Sequence, residues 1–289
     1  MHIKPKKRLG QNFLKDKNIQ RKIIRACELR GEDIVLEIGA GTGDLTVQLA
    51  LTAKEVYALE IDPQLLPVLE KNVNHLANCR VIKADILKFD INKFIRENKI
   101  TRKIKVIGNI PYYISSPIIE RLIRYRSEIA AIFLTVQKEF GRRVASSCGS
   151  KEYGSFSCFA QYYLKPKILF TIKNNSFYPA PKVDSCFLSL EVREKPPVHV
   201  RDEAWLFKLI RTAFCQRRKT LRNSLQGIVS QDRLTQFLDA QVINRNARPE
   251  ELSLEQFAGL SNSIKPPDTG KIEAERSQKK RNKPLYFFF

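Results

Sequence analysis

The sequence predicts an α/β fold with a mostly parallel sheet, plus a small all-helical C-terminal domain. Three observations predict it. Short apolar runs alternate with helix-like stretches through the first two thirds of the 289 residues, the pattern of a parallel sheet covered on both faces. A glycine-rich turn joins the first of these runs to the first such helix, as in nucleotide-binding sheets. Past residue 200 the apolar positions change to helical spacing.

Taken in order, residues 34–38 (Ile-Val-Leu-Glu-Ile) read as a buried strand, and an amphipathic helix begins at Asp44. Strand runs recur at 56–61, 80–84, 104–108 and 130–136, with helix-like stretches at 63–72 and 117–125 between them. Two later runs, 168–172 and 186–192, flank a Pro- and Asn-rich stretch and are expected to close the sheet as an antiparallel pair. A first domain over 1–193 results. Residues 194–200 carry Pro196-Pro197, which interrupts any regular element, and are expected to be a linker to a helical domain over 201–263. There Phe207, Ile210, Phe214, Leu221 and Leu225 would share one face of a single continuous helix. Residues 264–289 are polar and rich in proline and lysine, the composition of a flexible basic tail.

The formal net charge is +21. Clustered Lys and Arg attract polyanions and displace their counterions, so nucleic acid is the expected partner. Lys208, Arg211, Arg217, Arg218, Lys219 and Arg222 fall in a stretch of the helical domain, 205–225, that has no acidic residue. Arg217, Arg218, Lys219 and Arg222 are its candidate RNA-contacting residues, and the basic run at 4–8 is expected to complete the surface. The six cysteines form no C-x-x-C pair, and the three histidines lack zinc-ligand spacing; no metal site is expected. Unpaired cysteines suit a reducing compartment, where they act as small core residues. The charged N-terminus is followed by no apolar stretch, and no run is long enough to span a bilayer. A cytoplasmic monomer, away from membranes, is the expectation.

Gly39-Ala40-Gly41-Thr42-Gly43 follows a strand and opens a helix. Gly39 and Gly41 permit a tight turn and close approach of backbone to a ligand. A dinucleotide-binding G-x-G-x-x-G would want Gly or Ala at position 44, where this chain has Asp44. Glu60 ends the next strand, where a carboxylate can accept both ribose hydroxyls of an adenosine. Asp85 follows the third strand; it can accept from an adenine amino group or cap a helix.

The fourth strand runs into Asn109-Ile110-Pro111-Tyr112. An exocyclic amine is a poor nucleophile, because its lone pair is delocalised into the ring. Two acceptors that hold its N–H groups weaken that conjugation and stabilise the charge formed on nitrogen. The amide oxygen of Asn109 and the carbonyl of Ile110 or Pro111 are suited to this. Tyr112 offers a face on which an extruded base can stack.

These motifs resemble the small-subunit ribosomal RNA adenine N6,N6-dimethyltransferases of the KsgA type. The resemblance covers nearly everything from residue 6 to about 263. It includes Leu9-Gly10-Gln11-Asn12-Phe13-Leu14, the glycine loop, Glu60-Ile61-Asp62, Asn109 to Tyr112, Phe177-Tyr178-Pro179-Ala180-Pro181 and the segment from Phe214 to Leu225. It implies a Rossmann-like class I methyltransferase fold and S-adenosylmethionine as methyl donor. It implies that Asn12, Leu14, Gly39, Glu60, Asp85 and Asn109 contact the donor, that Asn109 to Tyr112 handle the base, and that Phe177 stacks on its other face. The implied substrate is a pair of adjacent adenines in a hairpin loop near the 3′ end of small-subunit rRNA, with a part in subunit assembly. The loop reads Gly-Ala-Gly where many relatives have Gly-Pro-Gly, and the tail has no counterpart in the family. A large-subunit methyltransferase of the Erm type shares the N-terminal motifs, but the 217–225 segment looks like the small-subunit family. A non-enzymatic assembly factor would not require an intact Asn109 to Tyr112 motif. An NAD oxidoreductase would leave both that motif and the charge unexplained.

Overall fold

A computed structural model describes residues 5–264, which divide into two compact units. The first unit holds the described residues up to 142 together with 164–193; the second holds 143–163 and those from 194 onward.

The first unit is built on a seven-stranded sheet in the order β4-β3-β2-β5-β6-β9-β7. These strands are β2 (Ile34–Ile38), β3 (Glu55–Glu60), β4 (Cys79–Lys83), β5 (Ile104–Asn109), β6 (Ile129–Gln137), β7 (Leu164–Ile172) and β9 (Ser185–Val192). The run from β4 to β6 is parallel, and β9 pairs antiparallel with β6 and β7. The mostly parallel α/β fold and its closing antiparallel pair are therefore as the sequence predicts. β2 is buried at every position, which is why it reads as an apolar run and not as an alternating one. A separate two-stranded ribbon pairs β1 (Phe13–Leu14) with β8 (Phe177–Tyr178).

Helices α1 (Lys17–Ala26), α2 (Asp44–Ala50), α3 (Leu66–Val73), α4 (Ile91–Glu97) and α5 (Ser115–Arg124) lie between the strands, and α6 (Lys138–Ala145) follows β6. Asp16 and Asp90 cap α1 and α4 by accepting backbone N–H groups of the first turn. α3 starts later than the expected residue 63, because Asp62 accepts the Gln64 N–H in a local turn. β3 and β4 lie on one side of β2, and β5 and β6 on the other. Such a reversal opens a crevice at the strands' carboxyl ends.

The second unit contains α7 (Ser155–Tyr163), α8 (Glu203–Cys215), α9 (Leu221–Ser224), α10 (Gln231–Ala240) and α11 (Leu254–Ser263). Phe207 of α8 is its aromatic centre, with Phe159 and Tyr162 of α7 edge-on at 5.3 and 5.2 Å between ring centroids. That packing draws residues 143–163, which the sequence assigns to the first domain, into the second unit. Trp205 is buried, and its indole N–H donates to the Ile264 carbonyl at 2.8 Å. Residues 194–200 carry no helix or strand. The continuous helix on which that shared face depends does not form: α8 ends at Cys215, and Thr220 caps a new helix by accepting the Asn223 N–H. Cys27, Cys158 and Cys186 are buried as expected of core residues, but Cys148 and Cys215 are exposed. Among the described residues no helix is long and apolar enough to cross a membrane. The predicted tail, apart from Ile264, lies outside the described residues.

Candidate functional site

A pocket of about 260 Å³ opens at the carboxyl ends of β2, β3 and β5. Of the residues that the sequence nominates, Asn12, Gly39, Gly41, Glu60, Asp85 and Asn109 all line it, as do Ile110, Pro111 and Tyr112. They come from the glycine turn, the ends of three strands and the N-terminal segment, and the crevice brings them together.

The turn is shaped by its backbone. Gly39 and Gly41 have φ of +72° and +60°, angles that other residues seldom adopt. A Cβ at Gly39 would approach the Asn109 carbonyl oxygen to 3.3 Å, and one at Gly41 would meet the Phe13 ring at 3.3 Å. The glycines thus keep open a cradle that side chains would fill. The turn also brings the Gly41 N–H to Glu60 Oε2 at 2.8 Å, while the Asp62 N–H donates to Oε1 at 2.8 Å. Burial raises the pKa of Glu60, opposed by the backbone N–H groups of Asp62, Gly41 and Ile61. Each carboxylate oxygen keeps acceptor capacity beyond these bonds. Asp85 is half-buried; its Oδ1 accepts the Leu87 N–H at 2.9 Å. It therefore closes a turn and lines the pocket; the helix-cap reading does not hold, since α4 begins only at Ile91 with Asp90 as its cap.

Asn109 ends β5 and donates through Nδ2 to the Asn12 carbonyl at 2.8 Å. Pro111 accepts the Ile114 N–H at 3.2 Å. The Tyr112 hydroxyl lies 2.6 Å from Ser185 Oγ, which fixes the ring, and burial raises its pKa. The arrangement can grip an adenosine-like molecule along β2 and β3 and present acceptors and an aromatic face beside β5.

Leu14 and Phe177 are not brought to the pocket. Both are buried in the hydrophobic core with Ile23, Val35 and Phe187. The reason is strand alternation: Leu14 pairs with Phe177 and Phe13 with Tyr178 across the β1–β8 ribbon, so the two pairs face opposite sides. Phe13 lines the pocket, and Tyr178 is 60% exposed. The sequence reading missed Phe13, because alternation counted from Asn12 points to Leu14 instead. It also missed Tyr113, which lines the pocket and is 60% exposed.

In the second unit Arg218 and Lys219 are exposed and Arg222 is half-buried. Arg217 is exposed as well, but its guanidinium donates to the Lys151 and Tyr153 carbonyls, each at 2.8 Å. It ties a turn in place, which a residue reserved for RNA would not do. Lys6, from the expected basic surface at 4–8, is likewise engaged, by Asp62.

A family model described as ribosomal RNA adenine dimethylase matches residues 2–265. A protein of Geobacillus sp. (strain WCH70) named ribosomal RNA small subunit methyltransferase A is 43% identical, over 90% of this chain and 91% of its own. One of the same name from Lachnoclostridium phytofermentans is 42% identical, over 89% and 91%. Among solved structures, a dimethyladenosine transferase from Plasmodium falciparum gives a TM-score of 0.71 at 28% identity, covering 86% of this chain and 95% of its own. The 23S rRNA methyltransferase ErmE also gives 0.71, at 25% identity, covering 88% and 99%.

Proposed function

The chain belongs to the ribosomal RNA adenine dimethylase family, and from that premise we propose that it transfers methyl groups from S-adenosylmethionine to small-subunit rRNA. The target is N6 of two adjacent adenines in a hairpin loop near the 3′ end of the 16S-type rRNA, and the product is N6,N6-dimethyladenosine. The reading extends to a cytoplasmic monomer that acts on the pre-assembled small subunit during its biogenesis. One observation carries it: the glycine cradle, Glu60, Asp85 and Asn109 all line a single pocket.

The pocket fits the donor. Gly39 and Gly41 leave room for a ligand against bare backbone, Glu60 has acceptor capacity for ribose hydroxyls, and Asp85 can take an adenine amino group. When bound, the donor supplies an electrophilic methyl group on a sulfonium. The chain's own residues do the rest. Asn109 Oδ1 and the carbonyl of Ile110 or Pro111 accept the two N–H groups of the target amine, Ile110 being preferred because the Pro111 carbonyl already accepts the Ile114 N–H. Holding both N–H groups frees the nitrogen lone pair from the ring and stabilises the positive charge that develops. Tyr112, its hydroxyl anchored on Ser185, supports the extruded base. The methylated ammonium loses its proton readily, so no strong general base is required. Phe177 has no support as a second stacking face, being part of the core. Arg218, Lys219 and Arg222 are the proposed phosphate contacts; Arg217 is foremost a structural tie. A large-subunit target is the weaker reading, because identity to the 23S enzyme is 25% against 43% for a small-subunit relative.

The test is to map methylated adenines on rRNA from cells with and without the protein. Loss of two adjacent dimethyladenosines from the small-subunit rRNA is expected. Their persistence, or a lost mark on the large subunit, overturns the proposal.

A further inference from the structure

Asp62 is 2% exposed, yet its carboxylate has no part in the reaction proposed above. It is occupied by the N-terminal segment. Lys6 Nζ lies 2.6 Å from Oδ1, and Gln11 Nε2 donates to Oδ2 at 2.8 Å. The Lys6 N–H donates in turn to Gln11 Oε1 at 2.7 Å. Residues 6–11 are thereby closed into a loop upon one carboxylate. The Asp62 N–H donates to Glu60, so the clasp is continuous with the wall of the pocket. Burial works against ionisation of Asp62, but Lys6, Gln11 and the Gln64 N–H outweigh it and hold the carboxyl below its usual range.

The same segment runs on to line the pocket through Gln11, Asn12 and Phe13. Its Asn12 carbonyl accepts from Asn109 Nδ2. A carbonyl can only accept, so this contact fixes which way round the Asn109 amide sits. The NH₂ end faces the strap, and Oδ1 is the end left for another partner. An amide turned the other way would set N–H donors against the N–H groups of an amine.

We propose, resting on the reaction above, that Asp62 is a positioning residue: it clasps residues 6–11, and so seats the Asn12 carbonyl that orients the Asn109 amide for the target adenine. The strap that walls the donor pocket is then also the part that aims the amine acceptor. One clasp serves both halves of the site.

The test uses Asp62→Ala, Asp62→Asn and Lys6→Met in the full chain, with three readouts. In the free protein, amide hydrogen exchange at residues 9–14 should quicken about tenfold or more in Asp62→Ala, because a bond to a charged group is lost. Calorimetry should show weaker S-adenosylmethionine binding. With donor and rRNA both saturating, kcat should fall about a hundredfold, since small misplacements in a reacting pair cost that much, while the KM for RNA holds. Asp62→Asn, which retains a partner for Gln11, and Lys6→Met should fall between wild type and Asp62→Ala. If Asp62→Ala fails to fold, Lys6→Met decides, because Lys6 is partly exposed and its loss leaves the core intact. Faster exchange with unchanged kcat would mean that the strap encloses the donor without aiming Asn109, and overturns the proposal. Unchanged exchange overturns it as well. A wild-type protein that binds donor but methylates no rRNA overturns the reaction and this proposal together; an active wild type with unaltered variants overturns this proposal alone.

Discussion

Asn109 spends one end of its amide on the strap, and in the proposed reaction the other end receives the amine, so its loss should be felt in turnover. Asn109→Ala is expected to lower kcat by about a hundred- to a thousandfold, the usual cost of removing one acceptor of developing charge. Single-turnover methylation at saturating donor and RNA would measure it, and a near-normal rate would remove Asn109 from the mechanism. Glu37, one strand position before Ile38, carries a different prediction. It is buried, its Oε2 lacks a hydrogen-bond partner among the described residues, and burial pushes its carboxyl up to about 7 from 4.5. A carboxyl with a raised folded pKa stabilises fully below its unfolded pKa, and that stability is lost as pH rises through the folded value. Glu37→Gln should therefore raise the unfolding free energy at pH 8, by at most on the order of 3 kcal/mol, and much less at pH 5. Equal gains at both pH values would show that Glu37 is ionised in the fold. Asn109, Glu60 and Asp85 were legible in the sequence because each ends or follows a strand whose carboxyl end opens on the pocket. Leu14 and Phe177 were not, because only the pairing of β1 with β8 decides which neighbour faces the pocket.

At the scale of elements, the strand–turn–helix unit around Gly39 was legible because its demands are local. A buried strand reads as an apolar run, and a reversing backbone reads as glycine. Residues 143–163 were misassigned because their partner is distant in sequence; nothing near α7 reveals that Phe159 and Tyr162 will meet Phe207. The break after Cys215 falls beside a run of cations that are good helix formers, which masks it. Its one local sign was Thr220, a residue suited to capping a helix. The end of α11 yields a prediction. Ile264 is 3% exposed and accepts the Trp205 indole N–H, so it belongs to the helical unit although the sequence assigns it to the tail. A chain ending at Ile264 should unfold at the same denaturant concentration as the full protein. One ending at Ser263 should lose about 1–3 kcal/mol, the cost of a buried donor left unpaired. Identical midpoints for the two truncations would mean that the contact contributes nothing.

For the molecule as a whole, the net charge of +21 gives RNA affinity a large electrostatic part that weakens with salt. Because Arg217 holds a turn in the second unit, the informative variant spares it. Replacing Arg218, Lys219 and Arg222 with Glu should suppress methylation of small subunits and flatten the salt dependence of binding, with donor affinity unchanged. If the triple variant methylates subunits at the wild-type rate, RNA selection lies elsewhere. Fold class and reaction were both legible at this scale, since alternation, glycine turn and motif agree; the division into units was not, since it depends on contacts between distant segments. The buried indole has a use beyond its packing. Trp205 is the single tryptophan in the chain, and it belongs to the second unit. Its emission during denaturation is a natural reporter of that unit alone, while ligand titration reports on the first. Whether the two melt as one cooperative body can thus be read from the native protein without any added label.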